Sequence, residues 1–148
     1  MKVEMVEGKA VPILLADDEP DCAALIQDTI RETDLPHLLH RVENGEEAIA
    51  YLSGEGPYSD RERFPFPYLL LLDLKMPGMG GFGVLRWLGR NPEVRSNLNL
   101  VILSSVQSAK EIEVVYELGA QFFCPKSDCE MLQEEMRRLS ESWSLRTG

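Results

Sequence analysis

Five short apolar runs punctuate the chain: Val11–Ala16, Leu38–Val42, Leu69–Leu72, Leu100–Leu103 and Gln121–Cys124. Runs of this length, bounded by turn and charged residues, predict strands, and the most apolar of them predict strands buried on both faces. Between them the apolar spacing lengthens to the period of a helix. Leu25, Ile26, Thr29 and Ile30 predict the inner stripe of a first helix, with Pro20 in its opening turn. Asn44-Gly45 opens a second, capped by Asn44 and carrying Ala48, Ile49 and Leu52 on one side. Phe82, Leu85, Trp87 and Leu88 predict a third, which ends before Asn91-Pro92. Ile112, Val115, Tyr116 and Leu118 predict a fourth, with Gly119 as its C-terminal cap. Leu132, Met136, Leu139 and Trp143 form the stripe of the last; packing onto the sheet is its first reading, and a dimer contact through Trp143 its second. The long connection from Ser53 to Pro67 contains Phe64-Pro65-Phe66-Pro67, expected to be a covered loop rather than a partner contact.

Strand and helix alternating five times predict a flavodoxin-like (βα)5 α/β fold, a doubly wound parallel sheet in strand order 2-1-3-4-5 with helices on both faces. In that order the first, third, fourth and fifth strands are contiguous. Asp17 and Asp18 follow the first, Asp73 the third, Ser104 the fourth and Lys126 the fifth. All five therefore meet at the carboxyl edge, where open α/β sheets bind ligands. Clustered carboxylates repel one another unless a cation joins them, and a hard divalent ion such as Mg²⁺ suits oxygen donors. A central carboxylate such as Asp73 can accept a phosphoryl group. Lys126 would then pair with one phosphoryl oxygen, the Ser104 hydroxyl with another and the metal with a third. Taken singly, each residue has a plainer reading. Asp17 and Asp18 could cap a helix, Asp73 could open a turn, Ser104 and Lys126 could be solvated, and Phe123 could be core. Their common edge favours the joint reading.

The chain of 148 residues is expected to be a single domain over 1–148, with its core at about 11–140 and no output domain. Its formal charge of −10 argues against a nucleic-acid or anionic-membrane partner. No apolar stretch approaches the roughly 20 residues that span a bilayer. No signal peptide is evident at the N-terminus, and the three cysteines lack paired spacing, so a cytoplasmic protein with reduced thiols is expected.

Four motifs carry a resemblance: Leu14-Leu15-Ala16-Asp17-Asp18-Glu19, Leu71-Leu72-Asp73-Leu74-Lys75-Met76-Pro77-Gly78, Val101-Ile102-Leu103-Ser104-Ser105 and Phe123-Cys124-Pro125-Lys126. Together they resemble the receiver domain of two-component response regulators. The connection with Gly54-Glu55-Gly56-Pro57-Tyr58 is similar to that of stand-alone receivers serving bacterial phytochromes. The resemblance implies phosphotransfer to Asp73 from a histidine kinase, a bacteriophytochrome among the candidates, or from a phosphotransfer protein. It implies Mg²⁺ held by Asp18 directly, by Asp17 through water, by Asp73 and by the main-chain carbonyl of Lys75. Ser104 and Phe123 match the hydroxyl and aromatic of the family switch, which alters the face of the fourth helix, fifth strand and last helix, a possible homodimer surface. Such a protein catalyses its own phosphotransfer and dephosphorylation and is otherwise no enzyme.

Two departures stand out. Family members usually carry proline after the lysine, where this chain has Ser127, with Pro125 in front; the geometry aiming Lys126 is expected to be the weak corner. Gly80 replaces the acid common in the loop after the third strand, and Lys75 and Val106 occupy the positions that tune phosphoryl loss in the family. Two alternatives remain open here. A haloacid dehalogenase-like phosphatase also uses an aspartyl phosphate but would place Asp-x-Asp after the first strand. A receiver-like interaction module would work without phosphate.

Overall fold

Every residue of β3, Leu69–Asp73, is buried, as a run of four leucines demands, and this strand occupies the middle of the sheet. The computed structural model describes residues 10–104, 109–120 and 122–147. Around β3 lie β1 (Val11–Ala16), β2 (His37–Val42), β4 (Asn99–Ser104) and β5 (Phe122–Pro125). All pairs are parallel, in the order β2-β1-β3-β4-β5. The helices are α1 (Pro20–Arg31), α2 (Gly45–Ser53), α3 (Gly80–Gly89), α4 (Ala109–Glu117) and α5 (Cys129–Thr147). Two single turns, Gly56–Tyr58 and Pro92–Arg95, were not marked by any periodicity. The expected flavodoxin-like (βα)5 sheet is the observed one. Ser105, Val106 and Gln121 lie outside the described residues.

Side chains alternate across the strands and so build two apolar layers. Leu14, Leu70, Leu72, Leu100 and Ile102 point to the layer with Ala48 and Leu52 of α2, Val84, Leu85 and Leu88 of α3, and Val115 of α4. Ile13, Leu15, Leu69, Leu71 and Val101 point the other way, to Ala23, Ile26 and Ile30 of α1 and to Leu132, Met136 and Leu139 of α5. The α1 stripe needs one correction. Leu25 is 47% exposed, and Ala23 takes the inward place. The 100° step between neighbours carries Leu25 off the arc that Ala23, Ile26 and Ile30 share. Tyr116 is likewise turned out beside the buried Val115, and Leu118 falls beyond the end of α4. Gly119 closes that end at φ 103°, with Ala120 N–H donating to Val115 O. Trp143 packs on Tyr68 at 5.0 Å between ring centroids, and the rest of the α5 stripe lies in the layer shared with α1.

The long connection after α2 is covered, as its aromatics suggested. Tyr51, Tyr58 and Phe64 pack with tilted and edge-on rings at 5.0 to 6.0 Å, and the Tyr51 hydroxyl donates to Pro65 O. Arg61 holds both ends. Its Nη1 donates to Tyr51 O and Phe64 O, and its Nη2 to Leu52 O at 2.9 Å. Two of those carbonyls belong to the last turn of α2, where the Gly54 N–H already donates to Tyr51 O and Arg61 adds a second donor there and one for Leu52 O. Arg61→Ala is expected to lower stability by roughly 2–3 kcal/mol, the loss of charged hydrogen bonds to half-buried carbonyls. Urea denaturation checks this; an unshifted midpoint would show the fork to be idle.

Candidate functional site

The carboxyl ends of β1, β3 and β5 deliver three charges to one point. The Asp17 N–H donates to Val42 O at 3.0 Å, carrying the β1–β2 ladder one residue past the strand. The side chain is wholly buried as a result. Asp17 Oδ1 accepts the Glu19 N–H at 3.0 Å, and this turn leads the chain into α1, whose N-cap is Glu19. Asp18 stands before the helix, more open to solvent than Asp17. Asp73 ends β3 and is 4% exposed. Its Oδ1 accepts the Lys75 N–H at 3.1 Å, so the turn-opening role and the site role coincide in one carboxylate.

Lys126 comes from the far side of the sheet. Its N–H donates to Ser104 O at 3.0 Å, continuing the β4–β5 pairing, and Asp128 N–H closes a turn onto Pro125 O. This places Nζ 3.1 Å from Asp73 Oδ2 and 3.3 Å from Asp17 Oδ2. The order Pro125-Lys126-Ser127 therefore aims the lysine into the acidic pocket without a following proline. The strand ladder and the turn give the direction, and the long flexible side chain covers the remaining distance.

Burial governs the electrostatics. It pushes the Asp73 carboxyl above the ordinary carboxylate range, against the opposing pull of the Lys75 N–H and the Lys126 ammonium. Burial alone would lower the Lys126 pKa, but the carboxylates of Asp73 and Asp17 outweigh it and hold the ammonium above its usual value. Lys126 is thus a firmly charged cation, paired with two of the three acids. Asp17, Asp18 and Asp73 each place a carboxylate oxygen within 4.8 Å of the others. Asp17 Oδ2 is buried and, among the described residues, accepts no hydrogen bond, although Lys126 stands near it. An oxygen left unfilled among clustered carboxylates is the donor chemistry of a hard divalent cation, so these residues fit one.

Ser104 is 1% exposed at the tip of β4, and Phe123 is 8% exposed with its ring in the layer under α4. Phe123 N–H donates to the Tyr116 hydroxyl at 3.2 Å, tying β5 to α4. The sequence reading passed over Gly81. An ideal Cβ on it would stand 2.4 Å from Asp73 O and 2.7 Å from Leu74 Cα. Only glycine lets the first turn of α3 lie against the exit of β3, where Gly81 N–H donates to Leu74 O. The paired glycines in the loop were the available signal.

Fold and site together define a response regulator receiver: residues 13–137 match the response regulator receiver domain family, and the chain belongs to it. It is 30% identical to response regulator Rcp1 of Synechocystis sp. over 115 residues, which are 78% of this chain and 76% of that protein. Among solved structures it is similar to the phosphorylated cyanobacterial phytochrome response regulator RcpA, with TM-score 0.75 at 29% identity, covering 90% of this chain and 94% of that one. The Mn²⁺-bound form of Rcp1 matches with TM-score 0.73 at 28% identity, again covering 90% and 94%. Membership of this family does not favour a haloacid dehalogenase-like phosphatase. Among the described residues no helix is long and apolar enough to cross a membrane.

Proposed function

We propose that Asp73 accepts a phosphoryl group from a histidine kinase or a phosphotransfer protein, with Mg²⁺ bound beside it, and that this switches a protein-contact face. One observation carries the reading: a buried carboxylate at the sheet edge, 3.1 Å from a lysine and clustered with two further acids. An Asp73 oxygen attacks phosphorus, the bond from phosphorus to the donor's nitrogen or oxygen breaks, and the donor leaves with that electron pair. Lys126 offsets charge on a phosphoryl oxygen that swings toward it, and the buried pocket keeps water from competing. Asp17, Asp18, Asp73 and the Lys75 carbonyl would hold Mg²⁺, which supplies charge neutralisation for the transferred group.

Ser104 and Phe123 are the switch pair in this reading. A hydroxyl drawn toward the new phosphoryl group leaves room beneath α4, and the buried Phe123 ring is placed to read that change. The phosphoryl group biases two states only as far as it binds one better. The contact face is then the outward side of α4, β5 and α5, where Tyr116 is exposed. The names of the similar phytochrome regulators support a bacteriophytochrome-type kinase as donor.

Wild-type protein with excess small acyl phosphate and Mg²⁺ should gain one acid-labile phosphoryl group by intact mass, and chelation of the metal should reduce uptake at least tenfold, the scale of removing a charge clamp. Unmodified protein under saturating donor and metal would sink the proposal and favour a phosphate-independent interaction module.

A further inference from the structure

Arg41 pairs with Leu15 in the β1–β2 register, and Leu15 belongs to the apolar layer under α1 and α5. A cation beside an apolar layer calls for a reason, and stability does not supply one. Its Nη1 lies 3.7 Å from Glu43 Oε2, a long pair to a side chain that is 66% exposed and so contributes little. Its Nη2 is buried and donates to no group among the described residues. What remains is Nε–H, which donates to the main-chain oxygen of Asp17 at 2.9 Å.

That bond completes a clamp. The Asp17 N–H is already held by Val42 O, so with Arg41 both main-chain groups of Asp17 are tied to β2. The Asp17 carbonyl lies in the same rigid peptide plane as the nitrogen of Asp18. Fixing it sets the direction in which Asp18 leaves β1, and with it the spacing of the two carboxylates.

We infer that Arg41 is a positioning residue for the acidic pocket, holding the Asp17–Asp18 peptide so that both carboxylates meet a divalent cation. The inference rests on the proposed reading of the pocket as a cation site. It acts by the hydrogen bond and not by charge, because a nearby guanidinium by itself opposes cation binding.

Two variants separate these. Gln places Nε2 where Arg has Nε and donates the same bond without charge; Met places a methyl there and donates nothing. The measurement is Mg²⁺ affinity of the unphosphorylated protein by calorimetry, with a thermal melt on each variant. R41M should weaken Mg²⁺ about tenfold, the scale of removing a group that orients a metal ligand, while R41Q stays within about twofold of wild type. R41Q, which keeps the bond to the Asp17 carbonyl, should melt near the wild-type temperature, and R41M, which leaves that carbonyl without its donor, should melt lower. R41M binding as tightly as wild type, or more tightly, overturns the inference, as does an equal loss in R41Q. If R41M fails to fold, R41Q alone decides, and weakened binding in it counts against the inference. A wild type that binds no Mg²⁺ would remove the pocket reading as well, whereas an unchanged R41M beside a binding wild type removes this inference alone.

Discussion

Asp73→Asn is expected to take up no phosphoryl group under conditions where the wild-type protein is fully modified. The substitution keeps the shape of the side chain and an oxygen to accept the Lys75 N–H, so the turn after β3 survives. It removes the nucleophile, since an amide oxygen carries no negative charge to attack phosphorus. It also relieves part of the crowding of three carboxylates within 4.8 Å, so stability should hold to within about 1 kcal/mol. The loss is then chemical and not a loss of fold. Intact mass and a melt on the same sample read both quantities. A variant that still gains one phosphoryl group, located by peptide mapping at Asp17 or Asp18, would show that the acceptor had been assigned to the wrong strand.

Gly81→Ala should damage both fold and site. The added Cβ meets main-chain atoms, Asp73 O at 2.4 Å and Leu74 Cα at 2.7 Å, and a backbone cannot swing aside as a side-chain end does. Either α3 lifts off the sheet or the exit of β3 moves, and the second takes Asp73 with it. Overpacking of this kind costs about 3 kcal/mol. A displaced Asp73 should also slow phosphoryl uptake by on the order of a hundredfold, the cost of misplacing a reacting group by about an ångström. Gly89→Ala is the control, because its Cβ meets nothing within 4 Å. It should leave uptake unchanged and shift stability by less than about 1 kcal/mol. Equal behaviour of the two alanine variants in denaturation and mass measurements would refute the close-approach argument.

The strands were legible because their signal is local. Four leucines in a row before Asp73 declare burial on both faces, and the alternating helical stripes leave one economical way to cover them. From strand order alone Asp17, Asp18, Asp73, Ser104 and Lys126 were placed at one edge. Exposure within a helix was less legible. Leu25 and Ala23 lie on opposite sides of α1, and hydrophobicity favours the wrong one. Only the position of α5 against α1 decides which face is covered.

The sequence by itself determined the strands, the helices and the parallel sheet, since these follow from run length, period and the chirality of the crossovers; the flavodoxin-like order it suits then brings the candidate residues to one edge. Tertiary structure alone decided how that site is held: the reach of Lys126 to two carboxylates despite Ser127, the contact of Gly81 with the Asp73 backbone, and the bond of Arg41 to Asp17. These are distances between groups far apart along the chain. They depend on strand spacing, twist and helix docking, to which no local pattern of residues is sensitive at the scale of one hydrogen bond.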